Sequence, residues 1–274
     1  MTRIGLVAGS SQFPILLAQA ARKNGLSVSA VALEGETDPA LADLVDSLLW
    51  VKIGQLQKAI DFFKEGRITE AVMAGGLNKK NMFRGFDPDA RALAVAARLP
   101  HLNDDALLRA MAEEFAQDGI KIKPTTEFTP ELAAPEGVLT RRSPTAEETA
   151  DIEFGWRIAK ALGAMDVGQC VVVRRRTVLA LEAIEGSDET IRRGGRLARE
   201  KAVVVKVCKP NQDLRFDLPC VGLGTLAAMS EVKASVLALE AGRTLMFDRE
   251  EMIAAADREG MAVIARQGEE PCSG

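Results

Sequence analysis

The stretch Ile4-Gly5-Leu6-Val7-Ala8-Gly9-Ser10-Ser11-Gln12-Phe13-Pro14 decides the fold class. Residues 4–8 form a short apolar run closed by a glycine–serine turn, the pattern of a strand buried on both faces. Pro14 suits a first helical turn and Gly25 the stop, so residues 14–24 read as a helix. The rhythm repeats. Residues 28–33 and 48–53 are apolar strands, 55–64 is a helix closed near Gly66, and 71–74 is a fourth strand ending in Gly75-Gly76. Strands alternating with helices predict a parallel sheet with helices on both faces.

Helices then take over at 88–98 and, capped by Asn103, at 104–117, before a return to strand at 120–123. A segment with three prolines follows, Pro124-Thr125-Thr126-Glu127-Phe128-Thr129-Pro130 on to Pro135-Glu136-Gly137. It reads as a linker, with the domain boundary inside 124–136. Two domains, 1–130 and 131–274, agree with 274 residues at about 150 per domain. The second half begins with a helix at 145–162. A hairpin of 169–174 with 178–183 turns at Arg174-Arg175-Arg176, and 202–208 is a third strand. Residues 235–240 and 244–247 read as a second hairpin, followed by a helix at 249–259 and a strand at 261–265. The run Val178-Leu179-Ala180-Leu181-Glu182-Ala183 recurs at 236–241, by coincidence or by duplication. The expected class is α/β: an N-terminal Rossmann-like parallel-sheet domain plus a C-terminal mixed α/β domain.

Composition narrows the chemistry. At 47% apolar and 27% charged the chain has a globular core, and a net charge of −4 leaves no basic excess for nucleic acid. Tyr is absent and His101 is the single histidine, so a multi-histidine metal site is excluded and acid–base work falls mainly to Asp and Glu. Cys170, Cys208, Cys220 and Cys272 form no C-x-x-C pair, which fits a reducing cytoplasm. The apolar stretch at the N-terminus is too short for a signal peptide, and no run reaches the roughly 18 apolar residues of a membrane span.

Five places can carry chemistry. Gly9, Ser10 and Gln12 lie between a strand and a helix N-terminus, where free N–H groups bind phosphate; a plain tight turn is the alternative. Gly75, Asn78 and Lys79 follow the fourth strand, at the strand end where α/β folds bind ligands; a solvated turn is the alternative. Asp104 and Asp105 open a helix, which the helix dipole alone explains. Lys206, Lys209, Asp213, Arg215 and Asp217 load one strand end with charge: carboxylates for Mg²⁺, cations for phosphate oxygens. The alternative is an exposed charged loop. Glu182, Ser187 and Asp188 form the last group, with a helix cap as the other reading of Ser187.

Taken in order, several blocks resemble the LpxI-type UDP-2,3-diacylglucosamine pyrophosphatases over nearly the whole chain. They are 5–9 with Phe13-Pro14, Asp104-Asp105-Ala106-Leu107-Leu108, Asp166-Val167-Gly168-Gln169 and Leu181-Glu182-Ala183-Ile184-Glu185-Gly186-Ser187-Asp188. Lys206-Val207-Cys208-Lys209-Pro210, Gln212-Asp213-Leu214-Arg215-Phe216-Asp217-Leu218-Pro219 and Glu240-Ala241-Gly242 complete them. The resemblance implies a Mg²⁺-dependent hydrolase of lipid A biosynthesis that releases UMP and lipid X. It implies a two-domain protein holding its ligand between the domains, with a nucleotide-binding N-terminal half and the acidic catalytic loop in the C-terminal half. Asp217 then leads as catalytic residue and metal ligand, Asp213 and Arg215 accompany it, and Asp104 and Asp105 are further metal candidates. Gly9, Ser10, Gln12, Gly75, Asn78, Lys79, Gln169, Glu182, Ser187, Asp188, Lys206 and Lys209 become substrate contacts. The lipid-linked nucleotide sugar implies peripheral contact with the inner membrane of a Gram-negative bacterium, from the cytoplasm. A homodimer is among the assemblies left open.

Asn103, Ser187 and Cys220 depart from the family pattern, where Gly, Thr and Thr are expected. Cys for Thr weakens hydrogen bonding at that position. The rival readings are a nucleotide-sugar transferase or reductase, although no G-x-G-x-x-G is present, and a non-catalytic module that binds lipid X or a nucleotide sugar.

Overall fold

The computed structural model describes residues 2–76, 86–99, 104–210, 212–216 and 218–268 and, of Asp104 and Asp105, the backbone alone. The chain divides into two compact units, Met1–Pro130 and Glu131–Gly274.

Unit 1 runs β1 (Arg3–Ala8), α1 (Phe13–Lys23), β2 (Ser27–Leu33), β3 (Ser47–Val51), α2 (Leu56–Glu65), β4 (Glu70–Ala74), α3 (Ala90–Arg98), α4 (Asp104–Gln117) and β5 (Lys121–Ile122). The strands pair in parallel in the order β3-β2-β1-β4-β5. Strand periodicity explains the layers. Ile4, Leu6 and Ala8 of β1 pack with Leu17, Ala18 and Ala21 of α1 on one face. On the other face Gly5 leaves room for the Phe63 ring of α2, which meets Phe115 of α4 at 5.9 Å. Parallel strands covered on both faces are the expected Rossmann-like arrangement. An ion network ties the helices of the second layer. Arg91 of α3 donates to Glu114 and Asp118 at 2.6 Å each, and Lys64 of α2 reaches Asp118 at 2.6 Å. The Arg91 hydrogen bond holds the buried Glu114 carboxyl below its usual range.

Unit 2 runs β6 (Gly137–Val138), α5 (Ala146–Ala164), β7 (Cys170–Arg174), β8 (Thr177–Leu181), α6 (Ser187–Ala198), β9 (Val203–Lys206), β10 (Cys220–Val221), α7 (Leu223–Glu231), β11 (Val236–Glu240), β12 (Leu245–Met246), α8 (Arg249–Arg258) and β13 (Ala262–Arg266). Its main sheet has the order β6-β13-β11-β9-β7-β8, with β9, β11 and β13 parallel and β6, β7 and β8 joined antiparallel. Val203 and Val205 pack against Ile152, Trp156 and Ala159 of α5. Val204 faces the other way, toward Ile191, Leu226, Met229 and Met252 of α6, α7 and α8.

The β7–β8 hairpin forms as its sequence predicts, but the second expected hairpin does not. β11 lies between β9 and β13, parallel to both, while β12 pairs in parallel with β10. All five residues of β11 are buried. A hairpin strand at a sheet edge exposes alternate side chains, whereas an unbroken apolar run buries both faces only at the centre of a covered sheet. The two copies of the repeated hexapeptide therefore occupy an edge strand and a central strand, and are not structural equivalents.

The turn of the β7–β8 hairpin places Arg175 and Arg176 at φ 50° and 53°, left-handed and unfavourable for arginine. Asp151, buried in α5, holds it there: its two carboxylate oxygens accept the N–H of Arg175 at 2.8 Å and the N–H of Arg176. Asp151→Ala is expected to cost about 2 kcal/mol, the worth of charged hydrogen bonds to otherwise unpaired amides. Urea unfolding measures it, and a loss below about 0.5 kcal/mol is inconsistent with this tie.

Candidate functional site

In unit 1 the chain builds β2 and β3 on one side of β1 and then crosses to build β4 and β5 on the other. The carboxyl ends of β1 and β4 flank the point where the strand order reverses, the position at which open α/β sheets bind ligands. Two glycine turns meet there. Gly9 donates to Ala74 O at 2.8 Å, Ser10 N to Gly76 O at 2.7 Å, and Ser10 Oγ to the same carbonyl at 2.9 Å. A Cβ on Gly9 would stand 2.4 Å from Gly76 O. Gly75 adopts φ +85°, and a Cβ on it would stand 2.2 Å from Ser10 O. Glycine is required at both positions for the turns to touch. Gln12 caps α1 with no side-chain hydrogen bond to the helix, and no acidic residue occupies the first turn. Ser11 Oγ accepts from Phe13 N at 3.2 Å, and Pro14 has no N–H to offer, so the side chain of Ser11 meets the positive end of the helix dipole. Buried Thr37 braces the β1 end by donating to Ala8 O at 2.6 Å, a contact no sequence motif announced. Asn78 and Lys79 lie outside the described residues. Asp104 and Asp105 open α4, and their side chains are likewise outside.

In unit 2 the polar candidates collect at one end of the main sheet. Lys206 ends β9 directly opposite Cys170, which starts β7. Its ammonium donates to Cys220 O at 2.8 Å. Glu182, just past β8, accepts from Gln169 N at 3.0 Å and from Ser187 Oγ at 2.8 Å. Glu182 and Lys206 are buried, and Gln169 Oε1 is buried with no hydrogen-bond partner among the described residues. Burial pushes the Cys170 thiol up to about 12; Lys206 opposes the rise, and Glu182 and Asp188 add to it. Hydrogen bonds thus join Gln169, Glu182 and Ser187, and the charges of Lys206, Glu182 and Asp188 all act on the Cys170 thiol beside them.

The segment after β9 carries the other candidates. Lys209 pairs with Asp166 at 2.7 Å. Arg215 grips Asp213 through two hydrogen bonds, Nε–Oδ1 at 2.9 Å and Nη2–Oδ2 at 2.7 Å, and lies over the Phe216 ring at 4.7 Å. The Asp213 carboxylate thus holds the Arg215 side chain in place. Asp217 lies outside the described residues. Among the described residues no three His, Cys, Asp or Glu side chains gather to hold a metal ion. The carboxylates expected to bind Mg²⁺, namely Asp217, Asp104 and Asp105, are hard oxygen donors of the kind that ion prefers, and their side chains are outside that set. Sequence reasoning missed Lys160 and Glu240. Its available signal was a carboxylate closing the buried run 236–240.

A family model described as the LpxI N-terminal domain matches residues 3–132, and one described as the LpxI C-terminal domain matches residues 135–264. The chain is 34% identical over 275 residues, covering 96% of this chain and 97% of the relative, to the UDP-2,3-diacylglucosamine pyrophosphatase LpxI of Caulobacter vibrioides. Among solved structures, the biotin carboxylase subunit of pyruvate carboxylase aligns over 63% of this chain and 35% of its own, at 17% identity and a TM-score of 0.26. The N5-carboxyaminoimidazole ribonucleotide synthetase from Thermotoga maritima aligns over 68% and 42%, at 13% identity and a TM-score of 0.27. Likeness at that level carries no argument about fold or function.

Two expectations follow from this geometry. Gly75→Ala combines a left-handed backbone with a clash against Ser10 O, and is expected to destabilise unit 1 by about 2 kcal/mol or more in urea unfolding. Cys170 is expected to resist alkylation by iodoacetamide at about pH 8 in the native protein, since the thiolate is the reactive form, while exposed Cys220 reacts. Peptide mass mapping reads both thiols.

Proposed function

Because the chain belongs to the LpxI family through both of its halves, we propose that it is a hydrolase of lipid A biosynthesis that splits the pyrophosphate of UDP-2,3-diacylglucosamine into UMP and 2,3-diacylglucosamine 1-phosphate. The observation that carries this reading is the full-length match to the Caulobacter pyrophosphatase, 34% identical over 96% of this chain. The site geometry supports it with two sets of strand-end groups suited to a charged, phosphorylated ligand.

Gly9, Ser10, Gln12, Gly75, Asn78 and Lys79 bind the nucleotide or its phosphates through backbone N–H groups and an ammonium. Gln169, Glu182, Ser187, Asp188, Lys206 and Lys209 bind the remainder of the head group. Arg215, held by Asp213, faces the charge that builds on the pyrophosphate oxygens, where a prepositioned guanidinium lowers the barrier without reorganising. Asp217 takes the proton from the attacking water. Water attacks the β-phosphorus and UMP leaves. Asp217, Asp104 and Asp105 are the carboxylates that would hold Mg²⁺, and the ion would supply charge neutralisation at the phosphoryl oxygens. The acyl chains of the substrate bring the enzyme to the cytoplasmic face of the inner membrane. No helix among the described residues is long and apolar enough to cross it.

The test is turnover of UDP-2,3-diacylglucosamine by the purified protein, with Mg²⁺ and with EDTA, for wild type and Asp217→Ala. Mg²⁺-dependent release of UMP is expected, with a fall of about 10²–10⁴ in kcat for the variant, the usual worth of a general base. In ¹⁸O-water the label is expected in the sugar phosphate; label in UMP overturns attack at the β-phosphorus. Binding without turnover by the wild type overturns the enzyme reading in favour of a sensor.

A further inference from the structure

We propose that Glu240 and Lys160 are positioning residues that clamp the backbone of Cys208 and so fix the loop 209–216, with Lys209, Asp213 and Arg215, for the reaction. Their part in the reaction rests on the function proposed above; the clamp itself does not. Glu240 ends the central strand β11 and is 0% exposed. Its Oε2 accepts from Lys160 Nζ at 2.6 Å and from Cys208 N at 2.9 Å. Lys160, on α5, also donates to Cys208 O at 2.9 Å. One ion pair, its carboxylate buried and its ammonium 23% exposed, thus satisfies both backbone polar groups of a single residue.

That residue lies two past the end of β9, where the sheet's hydrogen bonding stops. Successive amides of a strand point to opposite neighbours. Val207 N still turns to β7, donating to Gln169 O at 3.0 Å. The next amide, Cys208 N, turns to the β11 side and meets the Glu240 side chain instead of a strand carbonyl. Side-chain groups have replaced the ladder at the point of departure. Beyond it the loop is tied back on itself. Lys209 N donates to Gln212 Oε1 at 3.0 Å, Gln212 N to Lys209 O at 3.1 Å, and Phe216 N to Asp213 O at 3.1 Å. These bonds hold Lys209 to Gln212 and Asp213 to Phe216 in the stretch that leaves Cys208, and Arg215 is bound to Asp213 within it.

Stability alone does not account for the pair. Taking the Glu240 carboxylate fully out of water, with Lys160 largely withdrawn beside it, is costly, and apolar replacements of similar volume are commonly as stable or more so. Close packing seals the arrangement: Glu240 Oε1 has no hydrogen-bond partner among the described residues, and a Cβ on Gly268 would stand 2.3 Å from it. Arg243 approaches Oε1 only to 3.7 Å. What the pair secures is the path of the chain at residue 208.

The test uses the full chain with Glu240→Gln and the double variant Lys160→Met/Glu240→Leu, with Gly268→Ala as a variant that displaces Glu240 without changing charge. Circular dichroism and the thermal midpoint report folding, hydrogen–deuterium exchange reports the amides of 208–216, and kcat and KM are measured on UDP-2,3-diacylglucosamine. The expected result is faster exchange confined to 208–216 and a fall in kcat of about tenfold with KM within about twofold. It includes a double variant that regains wild-type thermal stability but not kcat. Unchanged exchange and unchanged kcat in folded variants overturn the proposal. So does recovery of kcat together with stability, which marks a purely structural pair. If the wild type turns over no UDP-2,3-diacylglucosamine, the functional reading fails, and the exchange measurement alone decides the clamp.

Discussion

A strand covered on both faces has no room for a polar side chain except at its ends. The central strands keep charge out on that ground: β2 and β11 are buried almost throughout, Ser29 of β2 is satisfied by Ser47 Oγ, and β9 is three valines before its first charge. The charge is then concentrated where the strands stop. Lys206 and Glu240 each close a strand, and Glu182 follows one. The chemistry of the second unit is a consequence of how its core is filled. In the first unit the same constraint leaves glycine turns, because the strand ends approach each other too closely for side chains.

Much of this was legible in the sequence. The alternation of apolar runs with helical segments marked β1 through β4, since parallel strands buried on both faces carry an unbroken signal. The turn after β1 was marked by Gly9 and the helix after it by Pro14. Glu182 and Lys206 could be picked out individually as charge at strand ends, Ser187 stood beside them as a helix cap or a contact, and Gln169 came with the family resemblance. Their convergence was not legible, because it depends on β7 running antiparallel to β9 and on α6 returning Ser187 beside Glu182, and pairing register leaves no trace in one strand's residues.

The failures have the same origin. The runs 236–240 and 244–247 look like two arms of a hairpin because a short apolar strand reads alike at an edge and at a centre. Only the burial of all five β11 residues distinguishes them. The helix α7 opens Leu223-Gly224-Thr225, where glycine beside a β-branched residue weakens the helical signal. Lys160 and Glu240 stand 80 positions apart, and neither belongs to a recognisable motif with the other. Their partnership is visible only through the residue they share.

The pairing of β6 with β13, Val138 against Ile264, has a consequence for synthesis on the ribosome. The first strand of the second unit finds its sheet neighbour only among the last to be made, and Thr140 Oγ1 likewise waits for the amide of Val263. The first unit has its final strand by Ile122 and can condense while the rest is still being translated. For the second, nascent segments 137–258 must remain unfinished, with the open flank of β11 unguarded, until residue 266 emerges. Slower elongation late in the message prolongs that exposure, and is where chaperone engagement should concentrate.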